Sequence, residues 1–349
     1  NFYIMEIDIK SYLKKPLVWV ISAAIIILIT ITCVLYPYFC SKAEISKTVY
    51  VYPKMNVEML NDSLNAYFGD SFGNHVSNIL SMKGVDVATC IGAYKVTIGD
   101  SPISLARRLI NGRQTPIKFT FNNLRTKEQF AERVGEKFLI SKAEMLNALE
   151  NDSITKAMGC DSLTIVALLM PDSYEFYWSV TPAKMLNAFK KYHDKWWTTE
   201  RISKAKALGL TPFEVTTLAS IVEEETSKSD ERGKVARLYL NRLAKGMLLQ
   251  ADPTVKFAIG DFSIKRVTKE HLRVQSPYNT YVNAGLPPSP IRFPEKSTID
   301  AVLNAPAHDY TFMCAKEDFS GYHNYTTSFS VHLANARIYQ AALNARGIK

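Results

Sequence analysis

The sequence has no pair of cysteines at C-x-x-C spacing, and its five cysteines are scattered along the chain. Neither a zinc site nor a disulfide framework is therefore indicated. His308, His323 and His332 show no H-E-x-x-H or comparable spacing, so we expect no metal and no cofactor. The net charge is +9. No Lys/Arg block interleaved with aromatics occurs, so nucleic acid is not the favoured partner.

Charge is also missing from a long stretch near the N-terminus, residues 17–39. Such a run reaches ~34 Å as a helix, enough to cross a bilayer core of ~30 Å. Lys10, Lys14 and Lys15 precede it, which predicts a cytoplasmic tail over residues 1–16 and an extracytoplasmic remainder. A cleaved signal peptide is disfavoured because the run is too long and no small-x-small site follows it. We therefore expect a single-pass membrane anchor.

The composition is that of a folded protein, with 47% hydrophobic and 21% charged residues. A length of 349 residues allows two domains and an extension. Residues 40–160 alternate between strand-like and helix-like patterns, which predicts a small α/β module. Residues 161–349 are mostly helical in pattern, with short strands and turn-rich loops. The predicted fold class is α+β.

The stretch Leu218–Thr226 begins as a buried helix and ends in three successive glutamates. The preceding residues 211–214 predict an N-cap threonine, a proline at the first helical position and a capping-box glutamate. Glu225 continues the apolar face of this helix, whereas Glu223 lies roughly 200° round the axis on a face of small side chains. A substrate could lie against such a face. From the pattern alone, solvated charges at a helix end are the favoured interpretation.

Downstream residues carry further polar candidates. Asp252 stands before a proline and is predicted to cap a helix, a role compatible with a hydrogen bond to a sugar hydroxyl. Asn279 and Tyr281 belong to a turn-rich stretch that predicts a shaped loop. Residues 310–315 read as a buried strand, and residues 321–326 as a polar loop.

Three motifs follow one another along the chain: Leu218–Thr226, Gln250–Val255, and Ser276–Tyr281 followed by Gly285–Pro288, with Pro171-Asp-x-Tyr174 ahead of them. In this order, behind a single N-terminal span, they resemble the YceG-like family of endolytic murein transglycosylases. The resemblance covers essentially the whole chain. It is most specific over residues 211–349 and weakest over residues 41–160.

The resemblance implies a transmembrane helix over residues 17–39 and a LysM-like module over residues 40–160. It also implies a lysozyme-like, YceG-type catalytic domain over residues 161–349. The implied activity is that of a peptidoglycan lytic transglycosylase. It would cleave the MurNAc–GlcNAc bond in glycan strands and leave 1,6-anhydroMurNAc ends. The implied location is a bacterial cytoplasmic membrane with the catalytic domain outside, and complexes with peptidoglycan synthases are implied at the level of the family.

The resemblance assigns the catalytic acid to Glu223, the first glutamate of an E-x-E-T motif. Here Glu224 stands between the two, and repulsion among three carboxylates should help raise at least one pKa. We expect Glu223 to face the cleft and Glu225 to be its buried companion. The other substrate-binding or supporting candidates are Glu225, Gln250, Asp252, Thr254, Asn279, Tyr281 and His323. His323 departs from the family pattern, since Tyr325 stands where phenylalanine is usual.

Two other functions stay open. One is a non-catalytic, membrane-anchored peptidoglycan-binding scaffold. The other is a muramidase that uses two carboxylates, Glu223 with Asp252 or Glu225.

Overall fold

The computed structural model describes residues 16–264 and 266–347, so the predicted cytoplasmic residues Lys10, Lys14 and Lys15 lie outside the described residues. The chain forms two compact units. The first extends to Ile117 and includes Tyr177–Ser179, and the second comprises Lys118–Phe176 and the residues from Val180 onward. Residues 118–160 therefore pack with the second unit, whereas the sequence-based division placed them in the N-terminal module. The functional labels of the two parts stay predictions.

The structure is mixed, with helices in the majority. The helices are α1 (Pro16–Cys40), α2 (Val57–Phe68), α3 (Asp70–Met82), α4 (Pro102–Ile110), α5 (Lys127–Gly135), α6 (Lys142–Glu150), α7 (Asp152–Ala157), α8 (Pro182–Trp196), α9 (Thr199–Ala207), α10 (Pro212–Glu225), α11 (Arg232–Ala244), α12 (Asp252–Ile259), α13 (Lys296–Leu303) and α14 (Phe329–Ala345). The strands are β1 (Lys47–Val51), β2 (Gly92–Val96), β3 (Ile117–Phe121), β4 (Asp172–Phe176), β5 (Phe312–Ala315) and β6 (His323–Thr326).

Helix α1 matches the predicted apolar span. Within residues 16–264 and 266–347 it is the only helix long and apolar enough to cross a membrane. Its large side chains are exposed, as contact with lipid requires. The Thr30 and Thr32 hydroxyls donate to backbone carbonyls one turn back, at 2.8 Å each, so neither polar group needs water. These features are compatible with a single-pass anchor.

The first unit is built on an antiparallel pair, β1 with β2, in the register Lys47↔Val96 to Val51↔Gly92. Apolar residues from both strands and from α2, α3 and α4 form one core beneath the pair. Asn56 caps α2 by accepting the Met59 N–H at 2.8 Å. This unit thus has its own hydrophobic interior.

The second unit is organised around α10. Every residue from Val215 to Glu223 is buried, because α11, α12 and α13 pack around this helix. A separate aromatic cluster joins β3, β4, α5 and α8, with Phe121, Phe130, Tyr174 and Phe189 at its centre. The site described below lies at the C-terminal end of α10.

The prediction of a polar loop at residues 321–326 is wrong, because His323–Thr326 form strand β6. This strand pairs antiparallel with β5, from Phe312↔Thr326 to Ala315↔His323. The expected burial of the 310–315 strand is also incorrect. Residues of β5 are only half-buried, since a two-stranded ribbon leaves part of each strand open.

The start of α10 has the predicted capping box. The Thr211 hydroxyl accepts the Glu214 N–H at 3.3 Å, and the Glu214 carboxylate accepts the Thr211 N–H at 2.7 Å. We predict that Thr211→Ala lowers the free energy of unfolding by about 1 kcal/mol, because the Glu214 N–H loses its acceptor and the Glu214 carboxylate loses the Thr211 hydroxyl. Urea denaturation measures this change. Thr211→Ser keeps the hydroxyl and should stay close to wild type, and equal loss in both variants would contradict the capping role.

Candidate active site

Glu223 points away from open space and into the protein. Its carboxylate pairs with the Arg292 guanidinium at 3.1 Å, accepts the Glu295 N–H at 2.9 Å and takes a short hydrogen bond from the Thr298 hydroxyl. Only 3% of its side chain is exposed. The expectation that Glu223 faces the cleft is therefore wrong.

The face of small residues on α10 accounts for this reversal. Ala219 and Ser220 are fully buried there, and the Ser220 hydroxyl accepts the Ile291 N–H at 3.0 Å. The small side chains let the segment that leads into α13 approach the helix closely. That segment brings Arg292 and Thr298 to Glu223, so protein fills the space proposed for substrate.

Glu224 is also paired. Arg125 donates two parallel hydrogen bonds to its carboxylate, at 3.0 and 3.1 Å, and Arg292 donates a third at 2.8 Å. Two of the three adjoining carboxylates are thus held by guanidinium groups. Bidentate pairing of this kind fixes geometry as well as charge.

Of the three adjoining glutamates, Glu225 is the one that lines the cavity of His323 and Tyr281. The cavity has a volume of about 440 Å³ and is bounded by α10, α11, the segment before α12, the β5–β6 ribbon and α14. The Glu225 carboxylate accepts a hydrogen bond from the Tyr239 hydroxyl at 2.7 Å. Burial raises the pKa of Glu225 to about 7, Asp252 adds to the rise, and Tyr239, Arg242 and Lys256 oppose it. Such a carboxyl can hold a proton near neutral pH and release it.

Asp252 and Tyr281 form one side of the same cavity. The Tyr281 hydroxyl donates to the Asp252 carboxylate at 2.6 Å. The predicted capping role of Asp252 is wrong, because Ala251 is the N-cap of α12 and Asp252 is its first helical residue. Instead of capping the helix, the Asp252 carboxylate accepts the hydrogen bond from Tyr281. Gln250 lines the cavity from a left-handed backbone conformation, with φ of 48°.

Thr254 and Asn279 make hydrogen bonds within the protein that support the walls of the cavity. The Thr254 hydroxyl donates to the Ala251 carbonyl at 2.6 Å and lies 2.8 Å from the Thr280 hydroxyl. Both threonines are almost wholly buried. These contacts tie the start of α12 to the loop that carries Tyr281.

The buried Asn279 side chain holds that loop from within. Its amide donates to the carbonyls of Leu272 and Val274, at 3.0 and 2.8 Å, and its carbonyl accepts the Tyr281 N–H at 2.9 Å. All hydrogen bonds described for Asn279 are thus internal. The expected contact of Asn279 with a sugar has no support in this geometry.

His323 lies in the cavity, at the start of β6. Its Nδ1 is 2.9 Å from one carboxylate oxygen of Glu231, and its backbone N–H donates to the other at 2.8 Å. Burial alone would raise the pKa of Glu231, but the hydrogen bonds from His323 hold it below its usual range. Glu231 is consequently an anion that fixes the histidine ring.

The sequence patterns did not identify several cavity residues, namely Arg242, Tyr239, His332 and Tyr339. Arg242 is buried and donates to the backbone carbonyls of Thr311 and Leu249, at 2.7 and 2.6 Å. It therefore joins the β5–β6 ribbon to the segment before α12. An arginine among inward-facing positions of α11 was a usable signal, because a buried cation needs partners.

We predict that Arg292→Met lowers the free energy of unfolding by about 3 kcal/mol, because it leaves the buried Glu223 carboxylate without its cation. Thermal and urea denaturation test this. The double variant Glu223→Gln/Arg292→Met removes both charges and should recover part of the loss. Strictly additive losses in the double variant would show that the two residues are not coupled.

The comparisons with known proteins agree on one family. The YceG-like family profile matches residues 58–338. The endolytic murein transglycosylase of Bacillus subtilis (strain 168) is 32% identical over 196 residues, which is 55% of this chain and 53% of that protein. The protein of the same name from Streptococcus pneumoniae (strain D39) is 27% identical over 199 residues, which is 56% of this chain and 36% of that protein.

The chain thus spans about half the length of the Bacillus relative and about a third of the Streptococcus one. A crystal structure of a YceG-like protein from Listeria monocytogenes superposes with a TM-score of 0.56 at 22% identity. The superposition covers 83% of this chain and 98% of that one, which shows a shared fold. With a family match over most of its length, this chain belongs to the YceG-like family.

Proposed function

We propose that this chain is a peptidoglycan lytic transglycosylase in which Glu225 is the proton donor. The observation that carries this proposal is Glu225 itself, a carboxyl with its pKa raised to about 7 that faces a polar cavity. The names of the Bacillus and Streptococcus relatives support the substrate class. Glu223, the catalytic residue expected from the motif, is engaged with Arg292 and Thr298 instead.

The chemistry needs an acid at the glycosidic oxygen and an attacking hydroxyl. Protonated Glu225 would donate its proton to the oxygen that joins MurNAc to GlcNAc. The C6 hydroxyl of the same MurNAc then attacks the anomeric carbon and closes the 1,6-anhydro ring. Because that hydroxyl belongs to the same sugar, its effective concentration is high and no activated water is needed. Glu225, once ionised, can take the hydroxyl proton.

Asp252 and Tyr281 line the same cavity as Glu225 and are suited to hold the sugar. The Tyr281 hydroxyl occupies one oxygen of Asp252 and leaves carboxylate acceptor capacity for a sugar hydroxyl. Gln250 adds an amide donor and acceptor to the same cavity. We propose these three as substrate-binding residues.

We further propose that α1 anchors the protein in a bacterial cytoplasmic membrane, with both units on the extracytoplasmic side. Peptidoglycan lies on that side, and α1 has the length and exposed apolar surface that anchoring requires. The LysM-like assignment of the N-terminal module and its binding of glycan belong to the same proposal, as do complexes with peptidoglycan synthases.

We predict that Glu225→Gln lowers the rate of glycan cleavage by roughly 10²–10⁴-fold, because the amide cannot donate the proton. Mass spectrometry of peptidoglycan digested by the detergent-solubilised chain measures the products. Glu223→Gln, the matched control, should retain far more activity once its folded fraction is accounted for. Full activity in Glu225→Gln would refute the assignment.

The same digest separates the alternative functions. Anhydro ends support a transglycosylase. Reducing ends support a muramidase, for which Glu225 and Asp252 are the two carboxyls in the cavity. No cleavage by the wild type supports a binding scaffold.

The raised pKa of Glu225 also predicts how activity and stability change with pH. Since the protonated form is the donor, kcat/KM should fall as pH rises above about 7. The folded-state pKa exceeds the unfolded value, so the stability associated with Glu225 is present at pH 4 and is lost as pH rises through 7. Glu225→Gln should therefore raise the melting temperature relative to wild type at pH 8. A melting temperature that is equal at pH 8 would argue against the buried acid.

A further inference from the structure

The cavity contains a second side chain able to transfer a proton, His323, which can act as a base where Glu225 acts as an acid. His323 and Glu231 form a buried pair in which 12% of the histidine side chain and 5% of the glutamate side chain are exposed. The pair is separate in sequence from the three adjoining glutamates. The single-carboxyl mechanism does not use it.

Two contacts make Glu231 a fixed support. Its carboxylate holds His323 through both the backbone N–H and the ring, at 2.8 and 2.9 Å. It also accepts the Thr226 hydroxyl at 3.0 Å, and Thr226 directly follows Glu225 in the chain. One carboxylate thus sets the position of the histidine relative to the end of α10.

The contact with Glu231 also determines the proton on the histidine ring. The pKa of Glu231 is held below its usual range, so near neutral pH the group is a carboxylate and can only accept hydrogen bonds. In the neutral ring Nδ1 must therefore carry the hydrogen, and Nε2 presents a lone pair. An anion behind Nδ1 stabilises the ring when Nε2 takes a proton, as in other carboxylate–histidine pairs.

We infer that His323, held by Glu231, is the base that accepts the proton of the attacking C6 hydroxyl, so that acid and base are two different side chains. This inference rests on the proposed transglycosylase function. His323 would be a catalytic residue, because its Nε2 contacts the hydroxyl. Glu231 would be a positioning residue.

The step balances without any further reactant. The Glu225 proton passes to the glycosidic oxygen as the bond from that oxygen to MurNAc C1 breaks. The C6 oxygen forms its bond to C1, and the C6 hydroxyl proton moves to His323 Nε2. The products are a 1,6-anhydroMurNAc end and a GlcNAc 4-hydroxyl. Ionised Glu225 then gains a proton from water, and protonated His323 returns one.

Other charged groups around the cavity affect the pH range of this base. Glu225 and Asp252 are acidic, Arg242 is cationic, and His332 on α14 can titrate. The pH profile therefore has to be compared between variants that change one of these groups at a time.

The test is the pH dependence of kcat on uncrosslinked glycan strands, with the detergent-solubilised chain. Wild type should show an acidic limb, because protonated His323 cannot accept the hydroxyl proton. His323→Ala should lower kcat by roughly 10²-fold, lose the acidic limb and regain activity with added imidazole. Glu231→Gln should lower kcat by about 10-fold, because the carboxylate that keeps the hydrogen on Nδ1 is gone, and Glu231→Asp, which keeps a carboxylate, should restore part of the rate.

Asp230→Asn is the matched control. Asp230 is the exposed carboxylate next to Glu231, and it contacts the Tyr322 hydroxyl at 3.1 Å, one residue before His323. This variant should keep the wild-type rate and pH profile. Melting curves identify any variant that fails to fold, and imidazole rescue of His323→Ala requires a folded protein.

The two proposals fail in different ways. If wild type releases anhydro ends but His323→Ala keeps wild-type kcat and the acidic limb, only the base assignment is overturned. If His323→Ala loses activity and imidazole restores none of it while its melting curve is unchanged, the base assignment is also overturned. If wild type releases no anhydro ends, the transglycosylase function itself fails.

Discussion

The site depends on how Arg292 distributes the charge of three adjoining glutamates. This one guanidinium contacts Glu223 at 3.1 Å and Glu224 at 2.8 Å, and Arg125 completes the pairing of Glu224. Only Glu225 is left to face the cavity with a tyrosine as its partner. Without this pairing, three carboxylates at one helix end would repel one another, and the helix could not end inside the protein.

The remaining cavity walls are positioned by buried polar groups of the same kind. Arg242 joins two backbone segments, Asn279 holds the loop that carries Tyr281, and Glu231 holds His323. Each of these groups satisfies its own hydrogen bonds within the protein, so the side chains that face the cavity are held in place before a ligand binds. Such preorganisation is what catalysis by proton transfer requires.

The sequence patterns predicted helices and strands better than they predicted which side chains face the cavity. The start of α10 was predicted correctly because Thr211 and Glu214 interact locally. Helical periodicity separated Glu223 from Glu225 but could not indicate what covers each face, because Arg292 comes from a distant segment. Small residues on the Glu223 face suggested room for a ligand, yet they permit backbone packing equally well. His323 was expected in a loop because its strand has only one partner, β5, which no local pattern identifies.

The cavity also has an order of assembly. Its acid comes from α10, whereas several of its walls come from the β5–β6 ribbon and from α14, which are later in the chain. Synthesis proceeds from the N-terminus. When α10 has just left the ribosome, the segments that carry His323, His332 and Tyr339 have not yet emerged. A nascent chain at that stage therefore has an incomplete enclosure around the Glu225 carboxyl. The enclosure of Glu225 is thereby completed only when the C-terminal elements have folded.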